Sequence, residues 1–168
     1  VATRWLLSGK ETAGNLAIPP GQRAVSFTRR IDGNNQILVQ PLDAEAGEVY
    51  AVTPSVQSYR WRPDGGAVAF TALDAMPAAR ADAVQRGFRP IVYDEDWRHV
   101  SLWMVTKGGK PERLTEGTTV FDCQWSHDGK SLVCACAPRN TVDASYMQQR
   151  LHVLHVDTKQ LQKLVDNP

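Results

Sequence analysis

An acidic run is the first place in this sequence where side chains could do chemistry. Three consecutive carboxylates are followed by a tryptophan and bracketed by two arginines. Such carboxylates could bind a positively charged group, with the indole ring as an additional contact. Alternatively, the run is a solvated loop whose carboxylates pair with their own arginines, an arrangement of little energetic value at a surface. The candidate binding residues are Arg89, Asp94, Glu95, Asp96, Trp97 and Arg98.

Four histidines raise the question of a metal site, and their spacing argues against one. His152 and His155 are three residues apart in a predicted strand, so they point to opposite faces of a sheet. His99 and His127 have no Cys, His or carboxylate at the spacing of metal ligands. The glycine pairs lie in predicted hairpin turns rather than phosphate-binding loops. We therefore expect no metal and no cofactor.

The elements that position these residues belong to an internal repeat. Residues 59–70 and 123–134 align without a gap, 64 positions apart, and each reads as a strand, a tight turn and a strand. A weaker copy at residues 16–27 has lost the Trp and the Asp, so its turn is predicted to be irregular. Two more strand-like runs follow each copy, which makes four short strands per repeat. The motif residues are Trp61, Asp64, Gly65, Trp125, Asp128 and Gly129.

A period of about 43 residues with four strands per unit is typical of β-propeller blades. In each turn the Asp side chain can accept a hydrogen bond from the N–H two residues on, and the Gly can adopt a positive φ. Trp61 and Trp125 should pack between neighbouring blades. The predicted fold class is all-β, a propeller segment of about three four-stranded antiparallel blades. Because rings use about four to eight blades, this one is incomplete. We expect part of a longer propeller; the alternative is a ring assembled from several copies.

The second blade carries an insertion between its second and third strands, over residues 74–98. A short helix is predicted over 77–86, with Asp74 or Ala75 near its cap, Pro77 in its first turn and Gly87 just past its end. The predicted organisation is a leader or the end of a preceding element at 1–13, blade 1 at 14–54, blade 2 at 55–117 and blade 3 at 118–168.

Three cysteines fall in the third repeat. If Ser126 pairs with Ser131 across the hairpin, Cys123 faces Cys134 and a cross-strand disulfide is geometrically allowed. The alternative is that these cysteines, with Cys136, are small core hydrophobes. The second repeat favours this alternative, since it has Tyr, Phe and Ala at the same positions.

The repeat also resembles a known family. The Trp-x-Pro/His-Asp-Gly runs, the strand at 102–105 and the run Arg113-Leu114-Thr115-Glu116-Gly117 resemble blades of the propeller domain of prolyl-oligopeptidase-type serine peptidases, in the acylaminoacyl- and dipeptidyl-peptidase branch. The same blade is similar to that of TolB-type periplasmic propellers. The insertion favours the peptidases, which carry a long excursion there. In that family the propeller caps an α/β-hydrolase domain and screens peptides. In some branches it supplies an acidic group for the substrate's amino terminus, a role that the resemblance implies for Glu95.

The catalytic half of such a peptidase is missing from this sequence. No Gly-x-Ser-x-Gly occurs, and Ser58, Ser126 and Ser145 lack the flanking glycines of a nucleophile elbow. We therefore expect a non-catalytic propeller portion that gates peptide access to an active site elsewhere in a parent serine peptidase. The expected partners are the C-terminal α/β-hydrolase domain of that parent chain and a peptide substrate. The alternative is a TolB-like propeller that acts as a protein–protein interaction module.

Composition excludes other classes of partner. Nineteen Lys and Arg against 18 Asp and Glu give a formal charge of +1, without the basic excess of a nucleic-acid binder. Apolar runs are strand-sized, far below the roughly 18 residues that a spanning helix needs, so we expect no membrane partner. The sequence predicts a soluble protein and leaves its compartment open between a bacterial-type cytoplasm and periplasm.

Overall fold

Three four-stranded antiparallel sheets form the computed structural model, which describes residues 12–44, 47–51, 55–88 and 97–165. Within each sheet, strands that follow one another in the chain are hydrogen-bonded neighbours. Blade 1 contains β1 (Ala13–Ala17), β2 (Ala24–Ile31), β3 (Asn34–Pro41) and β4 (Glu48–Ala51). Blade 2 contains β5 (Val56–Trp61), β6 (Ala67–Leu73), β7 (Val100–Thr106) and β8 (Glu112–Arg113). Blade 3 contains β9 (Thr119–Trp125), β10 (Ser131–Ala137), β11 (Arg150–His155) and β12 (Gln160–Lys163). The fold is the all-β propeller segment of three blades that the repeat predicts.

The Asp-Gly turns close the first hairpin of blades 2 and 3 as predicted. The Gly66 N–H donates to Oδ1 of Asp64 over 2.8 Å, and the Lys130 N–H donates to Oδ1 of Asp128 over 3.1 Å. Gly129 follows Asp128 with a φ of 67°, a conformation that glycine adopts without steric cost. Hydrogen bonds from the Arg62 side chain and then from the Gly66 N–H hold the pKa of the Asp64 carboxyl below its ordinary value. For Asp128 the Ser126 hydroxyl and then the Lys130 N–H lower the pKa in the same way.

Trp61 lies between blades 1 and 2, as predicted. Its indole Nε1–H donates to Oγ of Ser26 over 2.8 Å, and its ring meets Tyr50 edge-on with centroids 5.1 Å apart. Trp125 takes the corresponding place between blades 2 and 3, where its Nε1–H donates to the Arg60 carbonyl over 3.1 Å. Each tryptophan therefore joins two sheets: the ring of Trp61 is buried and that of Trp125 is half-buried, while each N–H donates to a partner in the preceding blade.

The hairpin of β9 and β10 in blade 3 has the predicted register. Cys123 lies opposite Cys134, and Trp125 lies opposite Leu132. Cys123, Cys134 and Cys136 are buried and none of them forms a disulfide. Together with Leu132 and Leu154 they belong to the apolar cluster between blades 2 and 3. The cysteines therefore act as core residues, as the second repeat indicates.

Within residues 12–44, 47–51, 55–88 and 97–165, two helices lie in connections between strands. α1 (Ala78–Gln85) matches the predicted helix, although Pro77 occupies its N-cap position without a side-chain hydrogen bond and Asp74 does not cap it. α2 (Val142–Met147) is not predicted by the sequence analysis; its N-cap Thr141 accepts a hydrogen bond from the Ala144 N–H. In the part of the chain that the structure describes, neither helix has the length and apolarity to cross a bilayer.

Candidate functional site

The two ends of the strands in each sheet carry different connections. The Asp-Gly turns lie at one end, and the connections between second and third strands lie at the opposite end, because consecutive antiparallel strands reverse direction each time. These second-to-third connections are residues 32–33 in blade 1, 74–99 in blade 2 and 138–149 in blade 3. We call the strand ends at which these connections lie the excursion edge, and residues 74–99 the excursion. The helices α1 and α2 both lie in these second-to-third connections.

The excursion begins at a charged contact with the outermost strand of its own blade. Nη2 of Arg113 lies 2.7 Å from Oδ2 of Asp74 and 2.7 Å from the Ser101 hydroxyl, and Nε donates to the Thr115 carbonyl over 2.8 Å. The Asp74 side chain is 21% exposed and that of Arg113 is 32% exposed. This ion pair is partly shielded from water, so its geometry is fixed better than that of a surface pair.

The start and the end of the excursion are also bound to each other. The Asp74 N–H donates to the His99 carbonyl over 2.8 Å, and Nη1 of Arg98 donates to the Asp74 carbonyl over 3.0 Å. We call this set the neck of the excursion: Asp74, Arg98, His99, Ser101 and Arg113. The neck closes the long connection at its base, so the residues beyond it leave the sheet from a fixed point.

The neck is further tied to blade 3. Nδ2 of Asn140 donates to the Arg98 carbonyl over 3.0 Å, which links the excursion to the connection that carries α2. Nδ1 of His99 lies 3.0 Å from Oγ1 of Thr119, a fully buried residue of β9. Trp97 meets the His99 ring edge-on with centroids 4.8 Å apart. The excursion of blade 2 and the connection over residues 138–149 of blade 3 are thereby held side by side.

Two of the six predicted binding residues belong to the part of the chain that the structure describes. Trp97 and Arg98 are described and both are half-buried, with the contacts to His99 and Asp74 given above. Their side chains therefore have structural partners at the base of the excursion. The remaining predicted residues, Arg89, Asp94, Glu95 and Asp96, lie outside the described residues.

The anchoring roles of Asp74, Ser101 and Arg113 were not predicted from the sequence. Asp74 directly follows the buried strand β6, a position where a lone carboxylate signals a partner, and Arg113 opens the Arg-Leu-Thr-Glu-Gly run quoted for the family resemblance. In that run Leu114 is buried between blades and the Thr115 hydroxyl accepts from the Leu102 N–H over 2.9 Å. Because this side chain takes the place of a backbone partner, β8 ends at Arg113.

The polar groups of the neck bind one another and thereby fix the base of the excursion. One of its carboxylate oxygens, Oδ1 of Asp74, is buried and has no hydrogen-bond partner, while the guanidinium groups of Arg98 and Arg113 are engaged. Among the described residues, no group of three His, Cys, Asp or Glu side chains has the arrangement of a metal site. The neck can hold the excursion at a defined place on the sheet.

The innermost strands present a second polar surface. Arg60 on β5 contacts Asp122 on β9 over 3.2 Å, and Nδ2 of Asn15 on β1 donates to the Gln57 carbonyl over 2.8 Å. A groove of about 470 Å³ lies beside these strands, lined in part by Leu16, Arg60 and other residues of β1 and β5. The first strands of the three blades therefore converge through side-chain contacts, as strands near a propeller axis do.

The chain is similar to known proteins in its fold. Neither a protein-family model nor a curated protein sequence matches the chain. TolB from Acinetobacter baumannii has a TM-score of 0.63 at 20% identity, over 96% of this chain and 34% of that one. An acylaminoacyl peptidase in complex with Z-Gly-Gly-Phe-chloromethyl ketone has a TM-score of 0.64 at 15% identity, over 92% and 25%. The β-propeller domain of the trilobed protease from Pyrococcus furiosus has a TM-score of 0.56 at 12% identity, over 94% and 44%.

These matches include both classes that the repeat resembles, TolB and peptidase propellers. The chain spans less than half of each of the three solved chains. Identities of 20% and below carry the likeness of the fold, and a fold hosts many functions. The chain is therefore a three-bladed segment with the β-propeller fold shared by TolB and by propeller domains of prolyl-oligopeptidase-type peptidases.

Proposed function

We propose that this chain is the non-catalytic, access-controlling propeller part of a prolyl-oligopeptidase-type serine peptidase. The observation that carries the proposal is the excursion of blade 2, which the neck anchors at both ends and Asn140 joins to blade 3. A compact ring needs no such element, since blade 1 connects the same strands through residues 32–33 alone. An anchored projection on one edge is suited to limit which peptides reach an active site beneath it.

In this proposal the acidic run acts beyond the neck. Carboxylates at Asp94, Glu95 and Asp96 would bind the ammonium group of a peptide that enters along the excursion edge. Charge-assisted hydrogen bonds of this kind are about twice as strong as neutral ones. Glu95 is the central residue of the run and the one we propose to contact the peptide amino terminus.

The test uses the whole protein that contains this chain. Glu95→Gln should raise KM for peptides with a free amino terminus several-fold and leave KM for their N-acetylated forms unchanged. Asp82→Asn is the matched control, because that carboxylate lies on the same excursion but pairs with Arg86 over 2.9 Å. Equal KM values for Glu95→Gln and wild type on free-amino peptides would exclude this role.

A second candidate is a TolB-like propeller that binds a protein partner, and the match to TolB at a TM-score of 0.63 favours it equally. A fluorophosphonate probe distinguishes the two. Covalent labelling of the whole protein at a serine outside this chain would support the peptidase. A protein without a Gly-x-Ser-x-Gly elbow and without labelling would instead be an interaction module.

A further inference from the structure

Three cysteines of blade 3 lie in one buried cluster at the joint with blade 2. Cys123 is 2% exposed, Cys134 is 0% exposed and Cys136 is 1% exposed. In blade 2 the pair at the positions of Cys123 and Cys134 is Tyr59 and Phe70. This place in a blade therefore needs only apolar volume, whereas blade 3 supplies it with two thiols that face each other across the hairpin.

The hydrogen-bond ladder of the hairpin brings these two thiols close together. The Ser126 N–H donates to the Ser131 carbonyl over 2.9 Å, so these residues are a hydrogen-bonded pair. Such pairs alternate with non-hydrogen-bonded pairs along antiparallel strands, and Cys123 and Cys134 are the third pair further along. They are therefore a non-hydrogen-bonded pair, in which Cα atoms are about 4.5 Å apart and side chains are closest. This spacing is within the range of about 4.4–6.8 Å that a disulfide spans.

The third cysteine does not have this geometry with either of the others. Cys136 lies opposite Val120, beyond a β-bulge in the ladder, so Cys123 is at best its diagonal neighbour, at about 7–8 Å. Cys134 lies two residues before it on the same strand, where parallel Cα–Cβ bonds keep the Cβ atoms about 6–7 Å apart. A disulfide requires Cβ atoms about 3.5–4.5 Å apart. Cys123 and Cys134 are thus the pair that the fold favours.

Burial limits when this pair can react. It raises the pKa of the Cys123 thiol to about 12. A hydrogen bond with Cys136, together with burial, raises the pKa of the Cys134 thiol. Because the thiolate is the reactive form, neither group reacts while blade 3 is closed. Exchange therefore takes place when the hairpin opens, and the same burial protects a bond once it has formed.

We propose that Cys123 and Cys134 are a disulfide-forming pair, which an external disulfide oxidises to a cross-strand bond while Cys136 stays a thiol. In the reduced chain the same two side chains fill the core between blades 2 and 3. The inference goes beyond the proposed function, because it applies equally to a peptidase propeller and to an interaction module.

The reaction is two successive thiol–disulfide exchanges. One thiolate of the pair attacks a sulfur of the external disulfide, which forms a mixed disulfide and releases one external thiolate. The second thiolate attacks the cysteine sulfur of that mixed disulfide, which forms the Cys123–Cys134 bond and releases the other external thiolate. The pair loses two electrons and two protons, and the external disulfide gains them as it becomes two thiols.

Peptide mapping tests the proposal. The whole protein is equilibrated with reduced and oxidised glutathione in urea just below its unfolding midpoint, where blade 3 opens and closes repeatedly. Free thiols are then blocked with N-ethylmaleimide and the protein is digested with trypsin. Trypsin separates peptide 114–130, which carries Cys123, from peptide 131–139, which carries Cys134 and Cys136. We expect the two peptides to be joined, and fragmentation should place the bond at Cys134 about ten times more often than at Cys136.

Two variants provide matched controls, since each replaces a buried cysteine of β10 by alanine. Cys136→Ala should retain the joined peptides, and Cys134→Ala should lose them. The two possible loops, 123–134 and 123–136, differ by only two residues, so loop-closure entropy in an unfolded chain favours neither. A strong preference therefore reports the register of the folded hairpin.

Each outcome decides the question. A bond mainly between Cys123 and Cys134 supports the proposal. A bond mainly to Cys136, or equal amounts of both bonds, would overturn it, because the folded ladder would then not determine the pair. Unreacted thiols at both positions after equilibration would also overturn it. Fragmentation of the wild-type peptides assigns the bond even where a variant does not fold, and none of these readouts depends on peptide hydrolysis.

Discussion

Nη2 of Arg113 lies 2.7 Å from Oδ2 of Asp74, although 39 residues separate them in the chain. The two side chains meet because β6, β7 and β8 pair in order, which places the end of β6 beside the outermost strand. Every residue of the excursion up to His99 lies between the two partners in sequence. A contact between strands of one blade therefore determines where the excursion leaves it.

Removal of the arginine should loosen the neck. Arg113→Met takes away the donors to Asp74, Ser101 and the Thr115 carbonyl and leaves a partly buried carboxylate without its partner. We expect a loss of about 1–3 kcal/mol in the free energy of unfolding, measured by urea titration. Cleavage by trypsin or chymotrypsin between residues 74 and 99 should become faster in the folded protein.

Arg86→Met is the control for this variant. Arg86 pairs with Asp82 over 2.9 Å within the same excursion, and the two side chains are 72% and 63% exposed. Its removal should change the free energy of unfolding by less than about 0.5 kcal/mol. Similar losses in the two variants would contradict the anchoring role of Arg113.

The Ser26 hydroxyl should be the most sensitive polar group between blades 1 and 2. It accepts from the Tyr59 hydroxyl and from Nε1 of Trp61, both over 2.8 Å, and it donates to the Ala17 carbonyl. Ser26→Ala leaves two buried donors unsatisfied, so we expect a loss of about 2–4 kcal/mol in urea titration.

A double-mutant cycle separates this effect from packing. Combining Ser26→Ala with Tyr59→Phe removes one orphaned donor, so the double variant should lose at least about 1 kcal/mol less than the sum of the single changes. Ser58→Ala is the comparison, because its hydroxyl has a single partner, Oγ1 of Thr71 at 2.8 Å, and is only partly buried. Strict additivity of Ser26→Ala and Tyr59→Phe would show that the serine is not shared.

Stability should fall in alkaline solution. Burial raises the pKa of Tyr59 from 10.0 to about 12 and that of Cys123 from 9.0 to about 12. Because the folded protein holds both protons more tightly than the unfolded chain, this stabilisation is complete below about pH 9 and is lost as the pH rises towards 12. Tyr59→Phe should be less stable than wild type at pH 8, since it lacks the hydrogen bond to Ser26, yet lose less stability between about pH 10 and 12.

The measurement is urea titration at several pH values. Tyr146→Phe provides the control, because it makes the same substitution at a ring that is 82% exposed. It should follow the wild-type pH dependence. An identical alkaline slope for Tyr59→Phe and wild type would mean that the buried phenol does not contribute.

The turns of neighbouring blades lie against each other, so a side chain is tolerated less well at one turn glycine than at another. A Cβ at Gly65 would lie 2.5 Å from the Pro20 carbonyl oxygen in the turn of blade 1, whereas a Cβ at Gly21 would meet nothing within 4 Å. Both residues have a positive φ, 71° and 69°, so either Ala substitution carries a conformational cost of about 1–2 kcal/mol. Gly65→Ala should cost clearly more than Gly21→Ala in thermal or urea unfolding, and equal losses would exclude the backbone clash.

Local patterns account for what could be predicted from this sequence. Trp61 and Trp125 precede turns with Asp and Gly at fixed positions, and period-2 alternation then determines which residues face each other, down to the Cys123–Cys134 pair. The helix over 78–85 was recognisable because Pro77 and Gly87 bracket it. These features depend on a few neighbouring residues, so one sequence is sufficient to find them.

Structure that depends on distant partners was not predictable in this way. The neck requires Asp74 and Arg113 to meet across three strands, and no spacing rule connects them. α2 was missed because a helix over 142–147 is too short for an apolar periodicity, with Thr141 as its main signal. The hydroxyl of Ser26 has two donors from the next blade, which only the packing of the two sheets reveals.

Leu73 still pairs with Val100, so the sheet of blade 2 continues undisturbed up to the point where the excursion departs. By loop-closure entropy alone, the long connection is only about 2 kcal/mol less favourable than the two-residue turn of blade 1. The connection between β6 and β7 therefore tolerates insertions at a defined place. Segments of different length and sequence could be exchanged there without repacking a blade, so evolution could vary the residues carried at this end of the strands while the sheets keep their stability.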